Sequence, residues 1–222
     1  MLSDIYRYKI TYTLIVINIL LYTISIVYSG EVIDIPSKEL VDLGGIFGPA
    51  VVVGGEWWRL VSAIFLHGSM THLLMNMFSL YIVGRPTELY FSTKEYLILY
   101  FATAILGGLV SISIHPLSVS IGASGAIFGI FGALSGYLFA FRDRLGKQAH
   151  QLMKEFGVII GINLVLGLSI PNIDMGAHIG GLISGIIGGF IVAKYPQKLW
   201  LFLLLAISVM ILFYYYLPTL YR

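Results

Sequence analysis

The stretch IGASGAIFGIFGALSGYLFAF, residues 121–141, has no charged side chain and has the length of a membrane-spanning helix. Ser124 lies near its start, between glycines. A second apolar stretch, residues 176–193, reads GAHIGGLISGIIGGFIVA and carries His178 near its start. Ionisable side chains are costly inside a bilayer, so they mark functional sites by default. A serine and a histidine that can meet predict an activated nucleophile and its base.

The composition of the whole chain indicates a membrane protein. Of its 222 residues, 58% are hydrophobic and 11% charged, whereas about 25% of the residues of soluble domains are charged. We predict an all-α, polytopic membrane helix bundle that forms a single membrane-embedded domain over residues 1–222. The net charge of +2 comes without a basic run, which argues against a nucleic-acid partner. The absence of cysteine excludes disulfides, thiolate metal sites and a cysteine nucleophile.

Apolar stretches predict about seven transmembrane helices. They are residues 10–28, 61–83, 96–114, 121–141, 156–170, 176–193 and 199–217. Most fit the ~20 residues that a spanning helix needs, but the fifth is short and must be extended or tucked among its neighbours. The first is longer than the apolar core of a signal peptide and no A-x-A site follows it, so we interpret it as an anchor.

Lysine and arginine predict the orientation of these helices. With a cytoplasmic N-terminus, ten of the 13 basic residues fall in inner segments, which is a positive-inside bias. The C-terminus is then outside, and we expect a multi-pass protein of the plasma membrane. The first outer loop, residues 29–60, is acidic on balance and contains Trp57 and Trp58, whose rings suit the headgroup region. We expect short interfacial helices in this loop.

In this orientation, three helices bring polar side chains to a similar depth. His72 and Asn76 lie in the first half of the second stretch, two to four turns from its predicted start. Ser124 and His178 lie near the starts of the fourth and sixth stretches, roughly 5 Å deep at the rise of an α-helix. All three stretches run from outside to inside, so we expect one polar site in the outer half of the bilayer.

Glycines predict which helices approach each other. Small residues recur every four positions: Gly125, Gly129 and Ala133 in the fourth stretch, and Gly176, Gly180, Ser184 and Gly188 beside Gly181, Gly185 and Gly189 in the sixth. This spacing lets the backbones of membrane helices come close. Such glycines also occur where helices only pack, but here they flank Ser124 and His178. Close backbones are what a short serine side chain needs to reach a histidine on another helix.

His72 and Asn76 are spaced i, i+4 and therefore share one helix face. Both can donate to a carbonyl oxygen that becomes negative during acyl transfer, with the backbone N–H of Ser124 as a third donor. A polar pair that only joins helices is the alternative. His67 lies at the outer boundary, where we expect it to hold the first loop. A metal site of His67, His72 and His178 is disfavoured because no carboxylate lies near and the spacing is not that of a zinc protease.

These motifs resemble those of the rhomboid intramembrane serine proteases. They are G-x-S-G at residues 122–125, A-H-x-x-G beginning at Ala177, H-x-x-x-N at residues 72–76, W-R at Trp58-Arg59, and G-x-x-x-E from Gly84 to Glu88. The resemblance covers residues 56–193, the predicted core, and 199–217 matches the subgroup with an additional C-terminal helix. It implies a Ser124–His178 dyad without a third acid, with His72 and Asn76 as oxyanion partners. We expect no metal and no cofactor.

The resemblance also assigns structural residues, and the sequence departs from the family at two positions. Arg59 and Glu88 are implied to be structural. Phe128 stands where the family often has a tyrosine packed on the catalytic histidine, so the ring is kept and the hydroxyl is lost. Ser92 stands where the motif that contains Glu88 often continues with a glycine. Neither change removes a catalytic group.

The sequence therefore predicts a serine endopeptidase that cleaves single-span membrane proteins near the outer face of the bilayer. An inactive relative that binds membrane clients is one alternative, and the presence of both Ser124 and His178 argues against it. A small transporter is another. Transporters bind substrate near the middle of the bilayer, whereas the polar residues of this chain cluster toward one face.

Overall fold

The computed structural model describes residues 2–169 and 173–222. Two strands, β1 (Ile46–Phe47) and β2 (Val119–Ser120), pair antiparallel, and short 3₁₀ turns cover Ala63–Phe65, Pro196–Lys198 and Leu217–Tyr221. The helices in chain order are α1 (Leu2–Arg7), α2 (Lys9–Ser29), α3 (Ser37–Asp42), α4 (Gly48–Val52), α5 (Arg59–Ser62), α6 (Met70–Tyr90), α7 (Thr93–Ile114), α8 (Ser124–Ala140), α9 (Arg142–Leu145), α10 (Lys147–Ser169), α11 (Met175–Lys194) and α12 (Leu199–Tyr216).

The long helices confirm the predicted all-α membrane bundle. Helices α2, α7 and α11 and the segment Pro196–Tyr221 are long and apolar enough to cross a membrane, and α8 is a shorter apolar helix. Helices α6 and α10 have comparable lengths but carry charged residues toward one end. The first outer loop contains the expected short helices, α3, α4 and α5.

The predicted start of the second span is wrong. Residues 61–83 were expected to form one helix, but the chain leaves the helical conformation at Leu66 and α6 begins at Met70. The cause is Ser69, whose hydroxyl accepts a hydrogen bond from the backbone N–H of His72 at 3.2 Å and so caps α6. His72 therefore lies in the first turn of α6 and Asn76 in the second, not two to four turns deep. Both therefore lie near the N-terminal end of their helix, as Ser124 and His178 do in α8 and α11.

The fifth span is longer than predicted. The expected range was 156–170, and α10 covers Lys147–Ser169, so the helix is extended at its N-terminal end. The predicted end, residue 170, lies outside the described residues. The other predicted spans agree with α2, α7, α8, α11 and α12 to within three residues at each end.

Helices α8 and α11 form the most extensive helix contact of the described residues. A Cβ atom added to a glycine on this face of α11 would overlap a backbone carbonyl oxygen of α8. The facing pairs are Gly181 with Gly125, Gly185 with Gly129, and Gly189 with Ala133. The second row of small residues on α11 packs elsewhere: Gly180 lies against α7, and Gly188 against α7 and α12. The two rows predicted from the sequence therefore serve different neighbours.

Glu88 fastens α6 to the N-terminus of α2. Its carboxylate accepts hydrogen bonds from the backbone N–H of Ile10 at 3.1 Å and of Thr11 at 2.7 Å, and from the Thr11 hydroxyl at 2.7 Å. A carboxylate is well placed at the positive end of a helix dipole. One turn earlier, a Cβ on Gly84 would lie 2.6 Å from both the Thr11 hydroxyl and the Tyr96 hydroxyl. The Gly84–Glu88 pair thus joins α2, α6 and α7.

Candidate active site

Ser124 is the first residue of α8, directly after a tight turn of the backbone. Gly122 in that turn has φ 108°, in the region that favours glycine, and its N–H donates to the Ala63 carbonyl at 2.9 Å. A Cβ on Gly122 would lie 2.8 Å from His72 Nε2 and 3.3 Å from Asn76 Nδ2. Only a glycine lets this turn lie directly against both polar side chains of α6.

His178 lies in the first turn of α11 and is 7% exposed. Its ring stacks on that of Phe128, with centroids 4.3 Å apart and planes 14° from parallel. Phe128 is one turn after Ser124 on α8. A Cβ on Gly125 would lie 3.5 Å from the carbonyl oxygen of Ala177, so the residue after Ser124 contacts the residue before His178. The structure therefore brings together the parts of α8 and α11 that carry the predicted dyad.

Several polar atoms at this place have no hydrogen-bond partner within the described part of the chain. Ser124 and His178 are not hydrogen-bonded to each other. His178 Nδ1 and Asn76 Nδ2 are buried and unpaired among the same residues. Catalytic hydrogen bonds are often long before substrate binds. Buried polar groups are normally paired, so an unpaired donor such as the Asn76 amide needs an explanation.

His67 lies behind His72. It is fully buried, and its ring contacts the His72 ring edge-on with centroids 5.0 Å apart. Neither of its ring nitrogens has a partner among the described residues. Over the same residues, no group of three His, Cys, Asp or Glu side chains is arranged to hold a metal ion.

The comparison with known proteins decides the family. The Rhomboid domain matches residues 54–195 of this chain. The chain belongs to the rhomboid family. It is 38% identical over 164 residues to RHOMBOID-like protein 6, mitochondrial, of Arabidopsis thaliana, and the match covers 74% of this chain and 53% of that protein. It is 35% identical over 175 residues to Rhomboid protease GluP of Bacillus subtilis (strain 168), covering 79% of this chain and 33% of that protein.

This chain spans about half or less of the length of these relatives. Rhomboid proteins are generally intramembrane serine proteases, and rhomboid proteases act on transmembrane substrates within the bilayer. The resemblance drawn from the motifs is therefore confirmed at the level of the family. This rhomboid is a multi-pass integral membrane protein.

Arg59 of the rhomboid W-R motif joins separate parts of the first loop. Its Nη1 donates to the carbonyl oxygens of Val41 at 2.5 Å and Gly45 at 3.0 Å. Its Nε pairs with the Glu56 carboxylate at 2.5 Å, and its guanidinium lies 4.8 Å from the centre of the Trp58 ring. Because the side chain is buried and bonds backbone carbonyls, it holds the loop that leads to α6.

Ser92 shows what replaces the glycine that is usual in this rhomboid motif. It is the N-cap of α7 and forms a capping box with Glu95. The Ser92 backbone N–H donates to the Glu95 carboxylate at 2.7 Å, and the Ser92 hydroxyl accepts from the Glu95 N–H at 3.4 Å. The departure therefore starts a helix, and both of these hydrogen bonds lie within the first turn of α7.

A carboxylate near His178 was missed in the sequence. Asp174 is the N-cap of α11, four residues before His178, and its side chain accepts from the Ala177 N–H at 2.9 Å. The expectation that no carboxylate lies near this histidine is therefore wrong. An aspartate directly before an apolar helix is the usual signal for an N-cap and could have identified it.

A cavity of about 20 Å³ lies beside Ser124. Its lining includes Ser120, Gly122, Gly125 and Ala177 along with Ser124, and the remainder is apolar. A space of this size holds about one water molecule. The surroundings of Ser124 are therefore crowded, with backbone and small side chains on several sides.

Proposed function

We propose that this chain is an intramembrane serine endopeptidase with Ser124 as nucleophile and His178 as general base. The observation that carries the proposal is the contact between the first turns of α8 and α11. Gly125 meets Ala177 there, and Phe128 stacks on His178. These contacts hold the Cα atoms of Ser124 and His178 at the same end of the α8–α11 pair. The family supplies the class of reaction, and this contact supports the residues.

The reaction needs two acyl transfers. Ser124 Oγ attacks the carbonyl carbon of the scissile peptide while His178 accepts the hydroxyl proton. The tetrahedral intermediate collapses, the C–N bond breaks, and His178 gives that proton to the leaving amine. Water then attacks the ester carbonyl with His178 as base, and the second intermediate releases the carboxylic acid and returns the proton to Ser124. No group other than the dyad and water has to exchange protons.

His72, Asn76 and the backbone N–H of Ser124 are proposed to stabilise the oxyanion. The support is that the Gly122 turn lies against both side chains of α6 and that Asn76 Nδ2 has no other partner among the described residues. A donor that is unpaired before the reaction can be aimed at charge that appears during it. This accounts for the unpaired Asn76 amide without assigning it a purely structural role.

The proposed substrates are single-span membrane proteins cut near the outer end of their span. Ser124, His178 and His72 all lie in the first turn of their helices, so the site is shallow. A peptide bond in an intact helix has its carbonyl already hydrogen-bonded, so helix-weakening residues near the cut should help. The small cavity beside Ser124 favours a small residue before the cut.

The orientation follows from the charges. With ten of the 13 basic residues on the inner side, we place the N-terminus in the cytoplasm, the C-terminus outside, and the chain in the plasma membrane. The lipid bilayer is its environment, and residues 1–222 act as one domain with a core at 56–193. Substrates are therefore reached from the outer leaflet and the aqueous phase above it.

A fluorophosphonate probe tests the mechanism. The purified wild-type protein should be labelled, peptide mapping should locate the label on Ser124, and Ser124→Ala should not react. Cleavage products of a substrate panel, measured by mass spectrometry, should end near the outer end of the span. Labelling of another residue, or cuts at the cytoplasmic end, would contradict the proposal.

An inactive rhomboid that binds membrane clients is the second candidate. The observation in its favour is that Ser124 and His178 are not hydrogen-bonded to each other in the described structure. It predicts no labelling of Ser124 together with unchanged capture of a single-span protein by the Ser124→Ala variant. The same probe therefore separates the two candidates.

A further inference from the structure

Asp174 connects three separate elements close to the candidate site. Its Oδ1 accepts from the Ala177 N–H at 2.9 Å. Its Oδ2 accepts from the Ser111 hydroxyl of α7 at 2.5 Å and from the Ser120 hydroxyl of β2. Both carboxylate oxygens are therefore engaged, and the acceptor bonds reach α7, β2 and the start of α11.

The bond to Ser120 joins the two chain segments that carry the proposed dyad. Ser120 is four residues before Ser124, and Asp174 is four residues before His178. Ser120 is 7% exposed and lies in β2, opposite Ile46 of β1. The segment between Ser120 and Ser124 is therefore held at its start by this carboxylate as well as by strand pairing.

The same carboxylate also sets where α11 begins. The Asp174 carbonyl accepts from the His178 N–H at 3.2 Å, so His178 closes the first hydrogen-bonded turn after the cap. Movement of Asp174 would therefore move the base of the His178 side chain. The Asp174 carboxylate accepts a hydrogen bond from β2 and also caps α11. It therefore couples the position of His178, the proposed general base, to that of Ser124, the proposed nucleophile.

We propose that Asp174 is a positioning residue that holds His178 in register with Ser124 through its bond to Ser120. This inference rests on the proposed function and deepens it. Asp174 does not extend the dyad to a catalytic triad. Its oxygens accept hydrogen bonds from Ala177, Ser111 and Ser120. His178 Nδ1 has no partner among the described residues. Asp174 acts through geometry, since an error of about 1 Å in a reacting group can lower a rate a hundredfold.

The test compares hydroxyl deletions on the full-length protein. Ser120→Ala removes the bond to the nucleophile segment, and Ser111→Ala removes the bond from the same carboxylate to α7. Ser113→Ala is the matched control, because that hydroxyl donates only within α7, to Val110 at 2.7 Å. For each variant we would measure the rate of fluorophosphonate labelling of Ser124, kcat and KM with a model substrate, and the Tm.

The expected result is a split between rate and stability. Ser120→Ala should lower kcat and the labelling rate about tenfold and change KM by less than about twofold. Ser111→Ala should lower the Tm with a smaller effect on the rates, and Ser113→Ala should resemble wild type. Asp174→Asn keeps an oxygen to cap α11 and places an amide NH₂ where Oδ2 lies, so that the Ser120 and Ser111 hydroxyls can accept where they now donate. It should retain rates within about threefold, whereas Asp174→Ala should lose more than Ser120→Ala.

Two outcomes overturn the positioning role. One is an unchanged labelling rate and kcat in Ser120→Ala with a lowered Tm, which would leave Asp174 as a structural cap. The other is an equal loss of rate in Ser111→Ala and Ser120→Ala. If Asp174→Ala does not fold, the comparison of Ser120→Ala with Ser111→Ala and Ser113→Ala still decides the question. Failure of the proposed function is distinct, because wild-type Ser124 would then not be labelled at all.

Discussion

The two sides of α11 pack in opposite ways. Toward α8 the backbones touch, and a single added carbon on Gly185 would overlap the Gly129 carbonyl. Toward α12 the helices touch at Gly188 and Phe202, and beside that contact they leave an apolar cavity of about 260 Å³, lined by side chains such as Ile183, Ile187 and Phe213. Apolar burial gives membrane helices little drive to associate, so close contact between small residues is what fixes their relative position. The proposed chemistry lies on the side where that contact leaves no freedom.

The largest effect on cleavage should come from Ser124 and His178, which the close contact between α8 and α11 brings together. We call the face of α11 that meets α8 its tight side. Ser124→Ala or His178→Ala should each abolish cleavage of a model single-span substrate, and the double variant should be no worse because the pair acts as a unit. The Tm should stay close to that of wild type. Substantial cleavage by purified Ser124→Ala would rule out the serine mechanism.

The next largest effect, on stability and on cleavage, should come from adding one methyl group to the tight side. Gly185→Ala should destabilise the fold by about 1–3 kcal/mol, as overpacking does, and should lower the cleavage rate because α8 and α11 must separate. Gly161→Ala on α10 is the matched control, since a Cβ there has no atom of the described residues within 4 Å, and alanine should be neutral or stabilising by up to about 1 kcal/mol. Thermal unfolding and cleavage measure both variants, and equal behaviour would contradict the backbone-contact explanation.

A third helix, α6, differs from α8 and α11 because it contributes side chains and not backbone contact to the candidate site. Asn76→Ala should lower kcat more than it changes KM, since its donor is needed most in the transition state. Loss of one such donor lowers transition-state stability by about 2.7–4 kcal/mol in a well-studied soluble protease. We expect less here because His72 and the Ser124 amide remain. Unchanged rates in both His72→Ala and Asn76→Ala would remove α6 from the mechanism.

Phe128 tests whether the tight side also controls the orientation of the imidazole. Phe128→Ala should reduce activity several-fold by freeing the His178 ring, which now stacks on it at 4.3 Å. Phe128→Tyr should be tolerated, because it keeps the ring and restores the side chain usual in the family. Steady-state cleavage measures both, and a fully active Phe128→Ala protein would show that stacking is not needed.

The smallest effect should be on the open side. Ile183 lies in the same helix, two residues before Gly185, but it faces the wide cavity and is 53% exposed. Ile183→Ala is therefore the variant to compare with Gly185→Ala. This substitution should change stability by less than about 0.5 kcal/mol, as for other exposed sites, and should leave cleavage unchanged. A loss as large as that of Gly185→Ala would mean that both sides of α11 are equally constrained.

The sequence predicts the parts of this molecule that depend on local pattern. Apolar length predicts that the long helices of the described residues exist, although it misplaces the starts of α6 and α10. Four-residue spacing predicts the two rows of small residues on α11, because an α-helix has 3.6 residues per turn. It also predicts that Ser124 and His178 belong to neighbouring helices. These features need no knowledge of which distant residues meet.

The missed features depend on distant contacts or on a single cap. The start of α6 is hidden because Leu66 continues an apolar run, and the break is marked by the short stretch His67-Gly68-Ser69, in which Ser69 caps α6. The bonds from Glu88 to the N-terminus of α2 and from Asp174 to Ser120 join residues far apart in the chain. The spacing of residue types along the chain does not indicate which distant residues form hydrogen bonds. These pairs are therefore known only from the folded structure.

The order of the helices along the chain has a consequence for synthesis. Helix α8, which carries the proposed nucleophile, is made before α10, and α11, which carries the proposed base, is made after it. Until α11 has docked against α8, Ser124 lacks His178, the residue proposed as its general base. If Ser124 and His178 act as proposed, a partly made chain cannot cut the membrane proteins that are being inserted next to it, and cleavage has to wait until α11 is in place.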